Sequence, residues 1–298
     1  MTKLPAKLSA ALGLLWRLAL YAAILVGAVI GFSRGLSFLL HHLGVRFSHP
    51  PGVRAVEQLI LSQLVVLVAA GLATLVLSLT DRGEAPRLLP RRPGSAPHFA
   101  QGLFWGVLGV GVTVGGIAAL GSYRVHAVTL SGAGLVYFAA SWIVASAING
   151  MAENLAVLGY PFLRTARVTG PVPAILLVGV LFAAAHLGNP GENPLGLASV
   201  FLIAVLLAVT IWLTGDLWLS VGIHAGAVFA EDFLFSVPDS GMTYTGHLLD
   251  SQFVGPVWLT GGADGPEGSL VAFPVFAGLL VLLWRLYRKS RADASAPP

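Results

Sequence analysis

Three ionisable residues lie within otherwise apolar stretches long enough to cross a bilayer: Glu153, His186 and His224. Scales put an Asp, Lys or Arg at the centre of a membrane helix about 2.5–3.5 kcal/mol uphill, so an ionisable residue there marks a candidate functional position. One carboxylate and two imidazoles, delivered by three separate segments, suffice to hold and activate a single water molecule. The carboxylate accepts a proton, one imidazole positions the water and relays the proton, and the other donates a hydrogen bond to the oxyanion that forms on an attacked carbonyl. Phe182 precedes His186 by four residues with only alanines between, which puts ring and imidazole on one helical face. Asn149 precedes Glu153 by the same step, and Asn154 follows it. Glu153, His186 and His224 would also make a zinc ligand set. No His-Glu-x-x-His helix is present, however, and the Glu would have to choose between ligand and base. Metal-free water activation with no cofactor is therefore the expectation, and zinc the alternative. Ser131-Gly132 has no polar base at helical spacing, which speaks against a serine nucleophile.

These residues need a membrane scaffold, and composition supplies one. The 298 residues are 56% hydrophobic and 10% charged, with mean hydropathy +0.83, whereas ordinary soluble domains carry about 25% charged residues. A polytopic membrane protein follows. Cysteine is absent, which excludes disulfides, thiolate catalysis and thioether lipid anchors. The pI near 9.7 does not indicate nucleic acid, because the basic residues separate apolar spans and form no aromatic-interleaved patch. Apolar runs near 11–31, 57–79, 100–120, 135–160, 172–188, 196–214, 217–236 and 270–287 predict an all-α transmembrane helix bundle of about eight spans, the first of them retained. Thirteen of the seventeen basic residues then fall on the side of the N-terminus, among them Lys3, Arg82, Arg92, Arg164 and Arg288. That bias predicts cytoplasmic N- and C-termini in a multi-pass protein of the cell membrane.

Within that frame, residues 1–129 read as N-terminal spans, 130–240 as the core with the chemistry, and 241–298 as an outward loop plus the last span. Residues 32–43 repeat apolar groups at helical spacing and fit either an interfacial helix or an extension of the first span. Residues 81–98 read as a basic cytoplasmic linker. Gly102/Gly106, Gly111/Gly115 and Gly222/Gly226 have the small-xxx-small spacing that admits a close helix neighbour. The stretch 131–163 is too long for one straight crossing, about 50 Å against a core of about 30 Å, so it must start in the interface, tilt, or break near Gly150. The segment 237–269 is long enough to form a cap.

The chemistry-bearing segments resemble the CPBP (Abi) family of intramembrane peptidases, which includes the type II prenyl-CaaX endopeptidases. That family has Glu-Glu-x-x-x-Arg, Phe-x-x-x-His and His-x-x-x-Asn motifs on successive helices. Here the first is similar at Glu153, followed by Gly159-Tyr160. The second is matched by Phe182 and His186, and the third by His224 after Leu217-Trp218-Leu219-Ser220. The stretch from Gly255 to Gly268 resembles a tail of some bacterial members. The resemblance implies that Glu153 and His186 activate water while His224 and an Asn hold the oxyanion. The chain departs from the pattern at three positions: the second Glu is Asn154, the Arg is Leu158 and the Asn is Val228. Loss of one oxyanion donor typically lowers the rate about 10²–10³-fold. Glu231 and Asp232 lie near enough beyond Val228 to contribute polarity.

The expected function is intramembrane hydrolysis of a peptide bond in a membrane-associated substrate, of which a prenylated CaaX protein is one kind the family allows. The competing expectation, motivated by Leu158 and Val228, is a non-catalytic descendant serving as an immunity factor, chaperone or partner of another membrane protein. For Glu153 a plainer reading is a carboxylate near the cytoplasmic interface, paired with Arg164 or another basic group. His41, His42, His49, His98, His126 and His247 fall in loops or interfaces and carry no expected chemistry. A transporter is disfavoured, since no inverted repeat or paired broken helices are apparent.

Overall fold

A computed structural model of the protein describes residues 6–47, 53–80 and 95–295. Among these, helices form wherever the apolar runs predict them: α1 (Ala6–His42), α2 (Val56–Thr80), α3 (Ser95–Ala119), α4 (Gly132–Glu153), α5 (Tyr160–Thr169), α6 (Pro171–His186), α7 (Pro194–Thr214), α8 (Trp218–Val228), the four-residue α9 (Val257–Thr260) and α10 (Ala272–Ser295). Six helical segments are long and apolar enough to cross a membrane; α6, with 16 residues, is apolar but shorter, and α10 is not among the six. The protein is a helical, multi-pass membrane protein. Of the linker expected over 81–98, residues 95–98 already belong to α3, and 81–94, like His49, lie outside the described residues.

Residues 32–43 extend the first span: α1 continues without interruption through 37 residues, about 55 Å at 1.5 Å per residue. The long stretch after Ser131 neither stops nor breaks at Gly150. It continues through a π-helical turn, Asn154–Gly159, into α5. Pro161 supplies a physical reason. It has no N–H to give the carbonyl of Val157, and its ring would strike that carbonyl in a regular helix; a wider turn relieves the clash. The Leu155 carbonyl in that turn accepts a hydrogen bond from the Tyr21 hydroxyl of α1 at 3.3 Å, and Tyr21 stacks on Tyr160. A second π-helical turn, Phe229–Phe235, follows α8.

Helix α8 is the axis of the bundle, packed against α3, α4 and α7. Two of the three glycine pairs make this possible. A Cβ on Gly102 or Gly106 would collide with the Leu219 or Ile223 carbonyl oxygen, and one on Gly222 or Gly226 with the Phe99 or Leu103 carbonyl oxygen. The pair Gly111/Gly115 does no such work: Gly115 has nothing within 4 Å of a Cβ. Gly150 has a different function from the expected break. It lets α4 press on α8, where a Cβ would lie 2.9 Å from the Val221 oxygen and the Ala225 nitrogen. At the other end of α8, Asp216 accepts from the Trp218 N–H at 2.9 Å and from His98 Nδ1 at 2.8 Å, fastening the start of the helix to α3.

Composition gave no sign of a two-stranded antiparallel sheet. Strand β1 (Tyr123–Val128) pairs with β2 (Leu249–Phe253), Tyr123 opposite Phe253, with a bulge at His126. Through it the segment after α8 folds back on the bundle. Arg54, just before α2, pairs its backbone with Thr243 and Thr245 at 3.0 and 2.8 Å, and Asn189 donates to the Ser240 carbonyl at 2.9 Å. This layer lies over one end of the helices.

Candidate active site

Glu153 is the last residue of α4, immediately before the π-helical turn. Its Oε1 accepts a hydrogen bond from Gln63 Nε2 of α2 at 3.0 Å. Its Oε2 lies 3.7 Å from His224 Nε2 of α8, too long for a direct hydrogen bond and a separation that one water can bridge.

His224 is held from behind. Its Nδ1 lies 3.0 Å from Asn154 Oδ1, and Asn154 Nδ2 donates to Ser220 Oγ at 3.0 Å. Asn154 is fully buried. With its amide nitrogen directed at Ser220, its oxygen faces the ring, which assigns the proton of a neutral His224 to Nδ1 and leaves the Nε2 lone pair toward Glu153. His186 closes α6 in the same manner: its Nδ1–H donates to the Phe182 carbonyl at 2.9 Å, so its Nε2 is also an acceptor. The buried Phe182 ring packs against both imidazoles, near-parallel to His186 with centroids 5.2 Å apart and tilted against His224 at 5.9 Å.

Glu153, His186 and His224 line one cavity of about 390 Å³, together with Gln63, Asn149 and Val228. Its remaining wall is apolar toward Leu25, Val66, Trp105 and Leu279, and is completed by Asp239, Ser240 and Tyr244 from the layer after α8. Asp239 was not legible from the sequence. Burial first, and then the nearby Glu153 charge, push its carboxyl up to about 6. Behind it, Glu267 accepts from the backbone and hydroxyl of Ser240, and burial together with Asp239 raises its carboxyl as well. Asp264, accepting from Asn193 at 3.1 Å, is pushed up to about 7 by burial and by Glu192. Glu231 lines the cavity, while Asp232 is buried beyond it. Gln63 was readable only as one more polar group in an apolar span. An uncharged amide gives no stronger signal, and its partnership with Glu153 needed coordinates.

The three departures have distinct consequences. Asn154 scaffolds His224. Leu158 is fully buried in the largest apolar cluster with Phe162 and Val178, where a guanidinium would be surrounded by apolar side chains. Val228 faces the cavity and offers no donor. Among the described residues, no three His, Cys, Asp or Glu side chains group as a metal ion requires. Of the remaining histidines, His98 serves the Asp216 contact, and His126 lies exposed at the sheet bulge.

No curated protein and no solved structure matches the chain. A family model does: Rce1-like, the type II CAAX prenyl endopeptidases, over residues 134–230. That span takes in Asn149, Glu153, Asn154, Phe182, His186 and His224, so the segment carrying these cavity residues is similar to the Rce1-like family of membrane peptidases.

Proposed function

We propose that the protein is an intramembrane endopeptidase that hydrolyses a peptide bond of a membrane-associated substrate with water activated by Glu153, His186 and His224, without a metal. The observation that carries this reading is that the three side chains line one cavity, with Glu153 Oε2 3.7 Å from His224 Nε2, so that one water lodged beside the pair can touch both. Water held there gives a proton to Glu153, and its oxygen attacks the carbonyl carbon while His186 Nε2 orients it. The proton passes from Glu153 to His224 Nε2. The resulting imidazolium donates to the oxyanion, then returns the proton to the amine nitrogen as the C–N bond breaks. Phe182 keeps both rings in place and excludes bulk water from between them. The apolar limb of the cavity suits a substrate with a lipid or apolar tail, and a prenylated CaaX-type protein is consistent with the matched family's description. We further place the protein in the cell membrane with eight crossings and both termini in the cytoplasm, as the basic residues favour.

Purified protein in liposomes should cleave a membrane-anchored peptide, and Glu153→Gln should remove that activity while leaving the thermal unfolding midpoint within a degree or two. Cleavage by the Gln variant at the wild-type rate would end the mechanism. A second reading, a non-catalytic membrane partner protein, draws on the apolar Val228 in the cavity wall. It requires the Glu153→Gln, His186→Ala double variant to complement a deletion phenotype.

A further inference from the structure

Both imidazoles, in the tautomers their Nδ1 contacts assign, turn an acceptor toward the cavity, and Glu153 is an acceptor too. Attack on a peptide carbonyl builds negative charge on oxygen and needs a donor already in place. Three side-chain amides line the cavity: Gln63, Asn149 and Asn189. Gln63 gives its amide to Glu153 and Asn189 gives its own to Ser240. Asn149 makes no hydrogen bond among the described residues, although it is only 7% exposed and its Oδ1 is buried without a partner. A buried, unpartnered amide is uncommon and calls for a reason. Of the other donors in the wall, Arg54 and Tyr244 sit where the outer layer joins the start of α2, Ser62 donates to the Leu59 carbonyl, Ser240 donates to Glu267, and Trp105 belongs to the apolar limb.

Asn149 is also in the right place. It lies one turn before Glu153 on the same face of α4. Its neighbour Gly150 brings α4 onto the α8 backbone at Val221 and Ala225, on either side of His224. Asn149 and His224 thus enter the cavity from adjoining helices. We propose that Asn149 is a catalytic residue whose Nδ2 donates a hydrogen bond to the oxyanion of the tetrahedral intermediate, standing in for the donor that Val228 cannot supply. This role rests on the peptidase reading above and deepens it.

The test compares wild type, Asn149→Ala, Asn149→Asp and the double variant Asn149→Ala, Val228→Asn on one membrane-anchored peptide. The Asp variant keeps the shape and loses the donor, so it reports even where Ala disturbs folding. Both single variants should lose about 10²–10³-fold in kcat with KM nearly unchanged. An amide restored one turn after His224 should recover at least tenfold of that loss, which a merely structural role for Asn149 would not allow. A wild type that cleaves, with Asn149→Ala and Asn149→Asp within twofold of it, overturns this role alone. Loss of activity with no recovery in the double variant also overturns it. A wild type with no Glu153-dependent cleavage overturns the peptidase reading and this role together.

Discussion

Replacing Asn154 by Ala tests whether the site is organised from behind. The fully buried Asn154 amide joins Ser220 Oγ to His224 Nδ1. Truncation leaves both without their partner. His224 borders the cavity, so water can replace the lost acceptor, but Ser220 is fully buried and does not border it. The stability loss should therefore come mainly from one orphaned hydroxyl, about 1–3 kcal/mol, toward the lower end if the hydroxyl turns to its own helix. The kinetic effect should be larger in proportion. A water in place of Asn154 Oδ1 can donate as well as accept, so the ring can invert its tautomer, and the Nε2 lone pair facing Glu153 is lost for part of the population. We expect kcat to fall about 10²-fold, the scale of general acid–base assistance, with KM little changed. Asn154→Asp retains an acceptor for Nδ1–H and can accept from Ser220, so it should keep the tautomer and most of the stability. The assay pairs thermal unfolding in detergent with ¹⁵N spectra of the histidine rings. A wild-type His224 protonated at Nε2 rather than Nδ1 while neutral, or an Asn154→Ala variant as stable and active as wild type, would refute the reasoning.

Two further perturbations read the scaffold. Gly106→Ala forces a methyl group against the Ile223 carbonyl, next to His224, and should destabilise by about 1–3 kcal/mol as overpacking does while lowering activity; Gly115→Ala, with the same motif spacing but open space around it, should change the melting midpoint by no more than a degree or two. The pH dependence comes from the acids of the outer layer. Asp239 and Asp264 have carboxyls pushed up to about 6 and about 7 from an ordinary 3.8, so between those values the folded protein binds more protons than the unfolded chain. Stability contributed by the protonated carboxyls is then lost as pH rises from about 4 to about 7. Melting midpoints should fall over that window, and fall less in Asp264→Asn; a midpoint that rises there contradicts the assignment.

The legible part of the molecule is the part written in one-dimensional patterns. Apolar run length predicted the helices, because a membrane span is defined by composition over about twenty residues. The small-xxx-small pairs on α3 and α8 predicted a close approach, and Glu153, His186 and His224 were conspicuous because charge in an apolar run is conspicuous. What was not legible depends on three-dimensional closure. The pairing of β1 with β2 joins residues more than a hundred positions apart, and although Tyr123 to Ala127 alternate apolar and polar residues, nothing in the sequence names the partner strand. The site contributions of Asp239 and Gln63 depend on where a loop and a neighbouring helix come to rest. The π-helical turn after Glu153 falls where Pro161 signals an irregularity, but the sequence does not say whether the chain will break, kink or widen there. Gly150 was read as a possible break because glycine disfavours helix; its actual role, admitting the α8 backbone, cannot be seen without the partner helix.

The arrangement around the cavity also bears on whether the site is a remnant. A buried polar side chain that serves nothing can be exchanged for an apolar one with no loss, and often with gain, of stability. Leu158 illustrates such an apolar solution: off the cavity, it packs fully into the core. The polar residues that line the cavity are treated differently. Glu153 has Gln63 behind it, and His224 has Asn154 and then Ser220 behind it. His186 has its own helix carbonyl, and both rings share Phe182. The hydrogen bonds among these supports fix how a cavity-lining group is turned rather than merely satisfying a donor. Val228 is the exception, an apolar residue in the wall of the polar cavity, and the wall it belongs to is the one that holds the unpartnered amide of Asn149. A degenerate site would have no reason to leave an idle amide in the cavity beside a carboxylate and two imidazoles that all present acceptors.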